Sequence, residues 1–101
     1  MRHMTVFDEV RVAAGKIVTL PSDLKPSAKQ LRQLHCALLK LREHGDTAGF
    51  GSDYARESYI RGCDELLGIF KNDPSAAADY LLSAPMGDYA PNPLDGLEKL
   101  V

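Results

Sequence analysis

The side chains in this sequence that could do chemistry begin with His35-Cys36, an imidazole base beside a thiol. Thiol catalysis needs the base within hydrogen-bond reach of the sulfur. Neighbours on a helix point roughly 100° apart, so the pair diverges if this stretch is helical. Asp64-Glu65, a carboxylate pair of the kind that divides acid and base roles, diverges for the same reason. His3, His35 and His44 have no metal-ligand spacing, and neither HExxH nor CxxC occurs. Cys36 and Cys63 read as two reduced, buried, small hydrophobes rather than a disulfide. The run TAGFGSD places glycines ahead of a helix start, where backbone N–H groups can hold phosphate. It contains no lysine and follows no strand, unlike a P-loop, and GxSxG is absent. No catalytic residue, metal or cofactor is assigned, and the chain reads as a non-enzyme.

Charge and aromatic residues offer binding rather than chemistry. Lys25, Lys29 and Arg32 share one helical face, with Lys40 and Arg42 further along. They read first as a solvated outer face. The alternative is an anion site for a nucleic-acid backbone or a nucleotide, which an isoelectric point near 5.8 disfavours. Residues 1–50 carry 8 Lys+Arg against 5 Asp+Glu, a net +3, and residues 51–101 carry 4 against 9, a net −5. The two halves then attract weakly along their edges, with head-to-tail self-association as the alternative. Tyr59 and Tyr80 fall on apolar faces and read as core. Phe50, set among Gly45, Gly49 and Gly51, is either an anchor packed on the core or a contact for a partner. Tyr89, on a proline-held stretch, reads equally as structural or as interface.

These side chains must be positioned by a fold, and one stretch organises it: Ser27 to Gly45, SAKQLRQLHCALLKLREHG. Leu31, Leu34, Leu38 and Leu41 recur at spacings of three and four, so they line one side of a helix. Cys36, Ala37 and Leu39 widen that stripe. Ser27 and Gln30 form a capping box, and Gly45 suits the left-handed closure of the last turn. A matching stripe, Ile60, Cys63, Leu67 and Phe70, flanked by Tyr59, Leu66 and Ile69, lies on a helix from Ser52 to about Lys71. The spacing predicts an antiparallel helical hairpin over about residues 27–72.

The rest of the chain braces it. Thr5 with Asp8 makes a second capping box, and Val6, Val10, Ala13 and Ile17 follow at helical spacing, with Phe7, Ala14 and Val18 beside them. Val10 to Leu20 also reads as a β-hairpin. The helix is preferred, because a lone two-stranded hairpin is marginal and nothing later supplies a third strand. PSDLKP is a connector with Leu24 pinned beneath it. Asp73-Pro74 and Asn92-Pro93 each read as cap plus first turn of a short helix, the first ended by Ala84-Pro85-Met86-Gly87. The segment 88–93, DYAPNP, should be extended.

The totals agree with a small all-α protein of one domain. A chain of 101 residues, 45% hydrophobic and 26% charged, can bury a core without metals or disulfides. No apolar run approaches a membrane span, and Asp8 and Glu9 interrupt the start too early for a signal peptide. A cytoplasmic location is expected.

One stretch carries a family resemblance. In residues 69–97, Phe70, Asp73, Ala77, Tyr80, Leu81, Pro85, Pro93, Leu94 and Asp95 resemble in type the C-terminal toxin-binding domain of ParS/MbcA-type antitoxins. Tyr89-Ala90 stands where that family has paired glycines, Tyr80 stands for its tryptophan, and its following helix is missing. The resemblance implies a toxin-neutralising module.

The function expected from the sequence is binding to another protein, in a regulatory, inhibitory or adaptor role, as in bacterial or phage accessory proteins. The expected contacts are Phe50, Tyr89, Leu94, Leu97 and Leu100, because a tail this apolar is poorly suited to water. The alternative is that the tail folds back and completes the core. A homo-oligomer is expected from the leucine stripe. The two other readings are the antitoxin-like module and an anion or nucleic-acid binder through Lys25, Lys29 and Arg32.

Overall fold

The computed structural model describes residues 4–82 and 93–100, apart from the side chains of Pro93, Asp95 and Lys99. The fold is all-α, and the described residues contain no strand. Among the described residues five helices follow in order: α1 (Val6–Val18), α2 (Ala28–Thr47), α3 (Asp53–Asn72), α4 (Pro74–Leu82) and α5 (Pro93–Leu100).

Local chemistry fixes where the helices begin. In α1 the Asp8 N–H donates to Thr5 Oγ1 at 3.1 Å, and the Thr5 N–H donates to Asp8 Oδ2 at 3.2 Å. In α2 the Gln30 N–H donates to Ser27 Oγ at 3.1 Å, and the Ser27 N–H to Gln30 Oε1 at 2.9 Å. Each reciprocal pair satisfies donors that a helix start would otherwise leave bare. Ser52 caps α3 through Ala55, and Asp73 caps α4 through Ala76. The helical reading of residues 5–20 is thus the one the chain adopts.

Opposed residues show how α2 and α3 meet. His35 stacks on Phe70, Arg42 pairs with Asp64, and Arg56 pairs with Asp46. The numbers fall along one helix as they rise along the other, so the two run in opposite directions. The core, however, is not confined to these two. Val10, Ala14 and Ile17 of α1 are buried in the same cluster as Leu34, Leu38 and Leu41 of α2 and Leu81 of α4. The first helix packs on both α2 and α4. It is a central element rather than an outer brace.

Several expectations need correction. The deepest line on α3 is Tyr59, Cys63 and Leu66, while Ile60, Leu67 and Phe70 are half-buried. The helix packs on α2, α4 and α5, so its buried line falls between neighbours instead of facing α2 alone. On α2, Leu31 is half-buried, and Cys36 and Leu39 face solvent. Leu24 is not pinned, being 57% exposed, and Tyr80, expected in the core, is 44% exposed. Leu24 sits on the connector, and Tyr80 is on the outer side of α4, away from its buried Ala77, Ala78 and Leu81.

Gly45 also differs. It does not end α2, which runs to Thr47 with Ala48 extended beyond it. A Cβ at Gly45 would lie 2.8 Å from Tyr59 Cδ1 and 2.9 Å from Ile60 Cδ1. Glycine is there so that α3 can approach closely. Tyr59 is fully buried, and its hydroxyl donates to the Leu41 carbonyl. That bond satisfies the one polar atom of a large core side chain.

Candidate functional site

The structure separates the residues once weighed for catalysis. The His35 ring lies parallel to Phe70 with centroids 5.2 Å apart, whereas Cys36 faces the groove beside α1. Asp64 pairs with Arg42, Nε to Oδ1 at 2.6 Å, and Glu65 faces solvent. That hydrogen bond to Asp64, with the charge it brings, raises the Arg42 pKa. His44 is edge-on to Phe7 at 5.5 Å and tilted against Tyr59 at 6.3 Å. Among the described residues no group of three or more His, Cys, Asp or Glu side chains gathers as a metal cluster would.

Cys63 is buried and free, and Cys36 is exposed and free. The expectation of two buried thiols holds for Cys63 alone. Cys36 lies on the flank of α2 beside Ala37, on the side of the helix that faces α1 across an open groove. Burial pushes the Cys63 thiol up to about 12 and raises the Tyr59 phenol, since each charged form would lose its hydration. Neither group is poised to react.

The expected partner contacts are largely occupied within the chain. Leu94 and Leu97 are buried in the core, and Leu100 is half-buried against it. Phe50 is half-buried, with its ring 5.4 Å from that of Tyr59, so the glycine loop is anchored through it. Tyr89 lies outside the described residues, as does the segment 83–92 that contains Pro85. The leucines that suggested an oligomer, Leu34, Leu38 and Leu41, are likewise buried inside the chain.

Among the open clefts is a groove of about 400 Å³ between α1 and α2. Val12 and Ala13 line it from the first helix, Met4 from the residues just before that helix, and Cys36 and Ala37 from the second. Met4 is 51% and Val12 46% exposed, while Ala13 and Ala37 are buried at the base of the groove. Lys16 rises on one side and Lys29, Arg32 and Lys40 on the other. Glu9 reaches Lys40 at 3.5 Å and closes one end. The anion-site residues Lys29 and Arg32 are thus brought together with Lys16, whereas Lys25 stays on the exposed connector outside the groove.

The sequence offered only part of this signal. Lys29 and Arg32 were visible as one face, but Lys16 and Val12 come from a different helix, and only packing aligns them. Among the described residues no helix is long and apolar enough to cross a membrane. Compared with known proteins, the chain matches no family model, no curated protein and no solved structure.

Proposed function

We propose that this chain is a small protein-interaction module, acting in a regulatory, inhibitory or adaptor role by binding another protein. The observation that supports this reading is the α1–α2 groove, where exposed Met4, Val12 and Cys36 are framed by cations. A concave apolar lining with a few convergent charges is the kind of surface that recognition uses. Groove residues come from two rigid, capped helices, so the surface is formed before anything binds, and little ordering entropy opposes association. Neutralising a toxin, as the ParS/MbcA resemblance implies, is one form this role can take.

The test is affinity capture from the native host at endogenous expression, with the partner identified and the complex rebuilt from purified components. A stoichiometric complex that survives purification supports the reading. Recovery of the chain alone, with no protein enriched over a mock capture, refutes it.

A further inference from the structure

We propose that the α1–α2 groove receives an acidic amphipathic helix of a partner protein. This rests on the interaction reading above and specifies its chemistry. The floor formed by Val12, Ala13, Cys36 and Ala37 suits an apolar stripe. From Lys29 to Lys40 the groove follows 11 residue steps of α2, which at 1.5 Å each is roughly 16 Å, or three turns of a docked helix.

Charge selects the partner's sign. Lys40 is paired with Glu9, whereas Lys16, Lys29 and Arg32 have no ion-pair partner among the described residues. They cluster at the opposite end, beside the start of α2. That start is a poor place for cations, because the helix dipole is positive there. The first turns of α1 and α3 carry Asp8, Glu9 and Asp53, while that of α2 has no acidic residue and carries Lys29 instead. An incoming carboxylate face relieves this repulsion. It would lie over Lys16, Lys29 and Arg32, with its apolar stripe running toward Met4.

Other occupants fit less well. Nucleic acid gains its affinity from phosphate contacts and stacking, and no aromatic side chain lines this groove. A second copy would bring an equally basic groove face to face.

The probe is a dye-labelled synthetic helix of about four turns, with leucines at spacings of three and four and glutamates on both flanks. A matched peptide carries lysine at every glutamate. In fluorescence anisotropy with the full chain, the acidic peptide should bind at least tenfold tighter than the basic one. The double variant Lys29→Glu/Arg32→Glu and the single variant Val12→Asp should each weaken it at least tenfold. All three positions are exposed, so the melting transition should stay close to the parent's and confirm folding. Amide shift changes should concentrate in residues 9–16 and 29–40.

Equal binding of the two peptides, or shifts centred elsewhere, would overturn the proposal. So would duplex DNA or anionic phosphatidylglycerol vesicles binding through these cations when the acidic peptide does not. Dimerisation of the chain alone that Val12→Asp abolishes would also overturn it, by filling the groove with a second copy. If the captured native partner binds Lys29→Glu/Arg32→Glu at full affinity, the groove assignment fails while the interaction reading stands. If no native partner exists yet the acidic probe behaves as stated, the groove's preference stands and the regulatory role fails.

Discussion

Replacing Gly45 with alanine pits helix propensity against close packing, and the structure decides the sign. Within a helix, alanine is favoured over glycine by about 0.8–1.0 kcal/mol. At Gly45 the new methyl would sit 2.8 and 2.9 Å from the Tyr59 ring and 2.9 Å from Ile60 Cδ1. Ile60 is half-buried and its terminal methyl can swing aside. Tyr59 cannot, being fully buried and held by its bond to the Leu41 carbonyl. Overpacking of a held core costs about 1–3 kcal/mol, so Gly45→Ala should be net destabilising by up to about 2 kcal/mol. Gly68 is the control: it lies inside α3, with nothing within 4 Å of an added Cβ. Gly68→Ala should therefore stabilise by about 0.5–1 kcal/mol. Urea unfolding followed by helical circular dichroism reads both, and opposite shifts of the midpoint at unchanged slope are expected. If Gly45→Ala stabilises the protein as much as Gly68→Ala does, the close approach of α3 at this point is wrong.

Leu38→Ala should cost about 2–5 kcal/mol, because Leu38 is buried, whereas Leu39→Ala, on the exposed side, should stay within about 0.5 kcal/mol. On α3, Leu66→Ala should cost more than Leu67→Ala, and the reverse order in thermal melts would return the buried line to the position first expected. Stability should also fall in alkali: with the Cys63 thiol held up to about 12, the unfolded chain binds fewer protons than the folded one above the ordinary thiol range. Below that range the contribution is fully present, and above it the loss approaches at most about 1.4 kcal/mol per pH unit. Urea midpoints between pH 8 and 10 should therefore drop less steeply in Cys63→Ala, and equal slopes would count against the burial of this thiol. A disulfide reagent should label one thiol quickly in the folded protein, Cys36, and the second only after denaturation; rapid labelling of both would contradict the core.

What could be read from the chain was what local chemistry decides. Thr5, Ser27, Ser52 and Asp73 cap helices because their partners lie three residues away, well within the reach of a sequence pattern. The α2 leucines were legible because their stripe is long and clear. On α3 the expected Cys63 is buried but the line turns from Ile60 and Leu67 to the flanking Tyr59 and Leu66, since periodicity marks an apolar face but not the directions from which neighbours arrive. Gly45 looked like a terminator because the nearness of Tyr59 is written nowhere near it in the sequence. The groove was half visible: one helix showed Lys29 and Arg32 as a charged face, while Lys16 and Val12 joined them only when α1 packed alongside. Leu94 and Leu97 were assigned outward because a terminal apolar segment looks the same whether it meets its own core or another protein.

The central place of α1 bears on how the protein is made. Its buried face is completed by α4, which begins at Pro74, and its Arg11 pairs with Glu98 at 2.7 Å, 87 positions downstream. A ribosome adding roughly 5–20 residues per second needs several seconds after finishing α1 before α4 exists. Throughout that interval Val10, Ala14 and Ile17 can be only partly covered, by α2 at most. The nascent chain is therefore most vulnerable at α1, which is made well before the helices that cover it. Closure of the fold waits on α4 and α5, so termination ahead of them leaves an open, sticky intermediate rather than a smaller version of the fold.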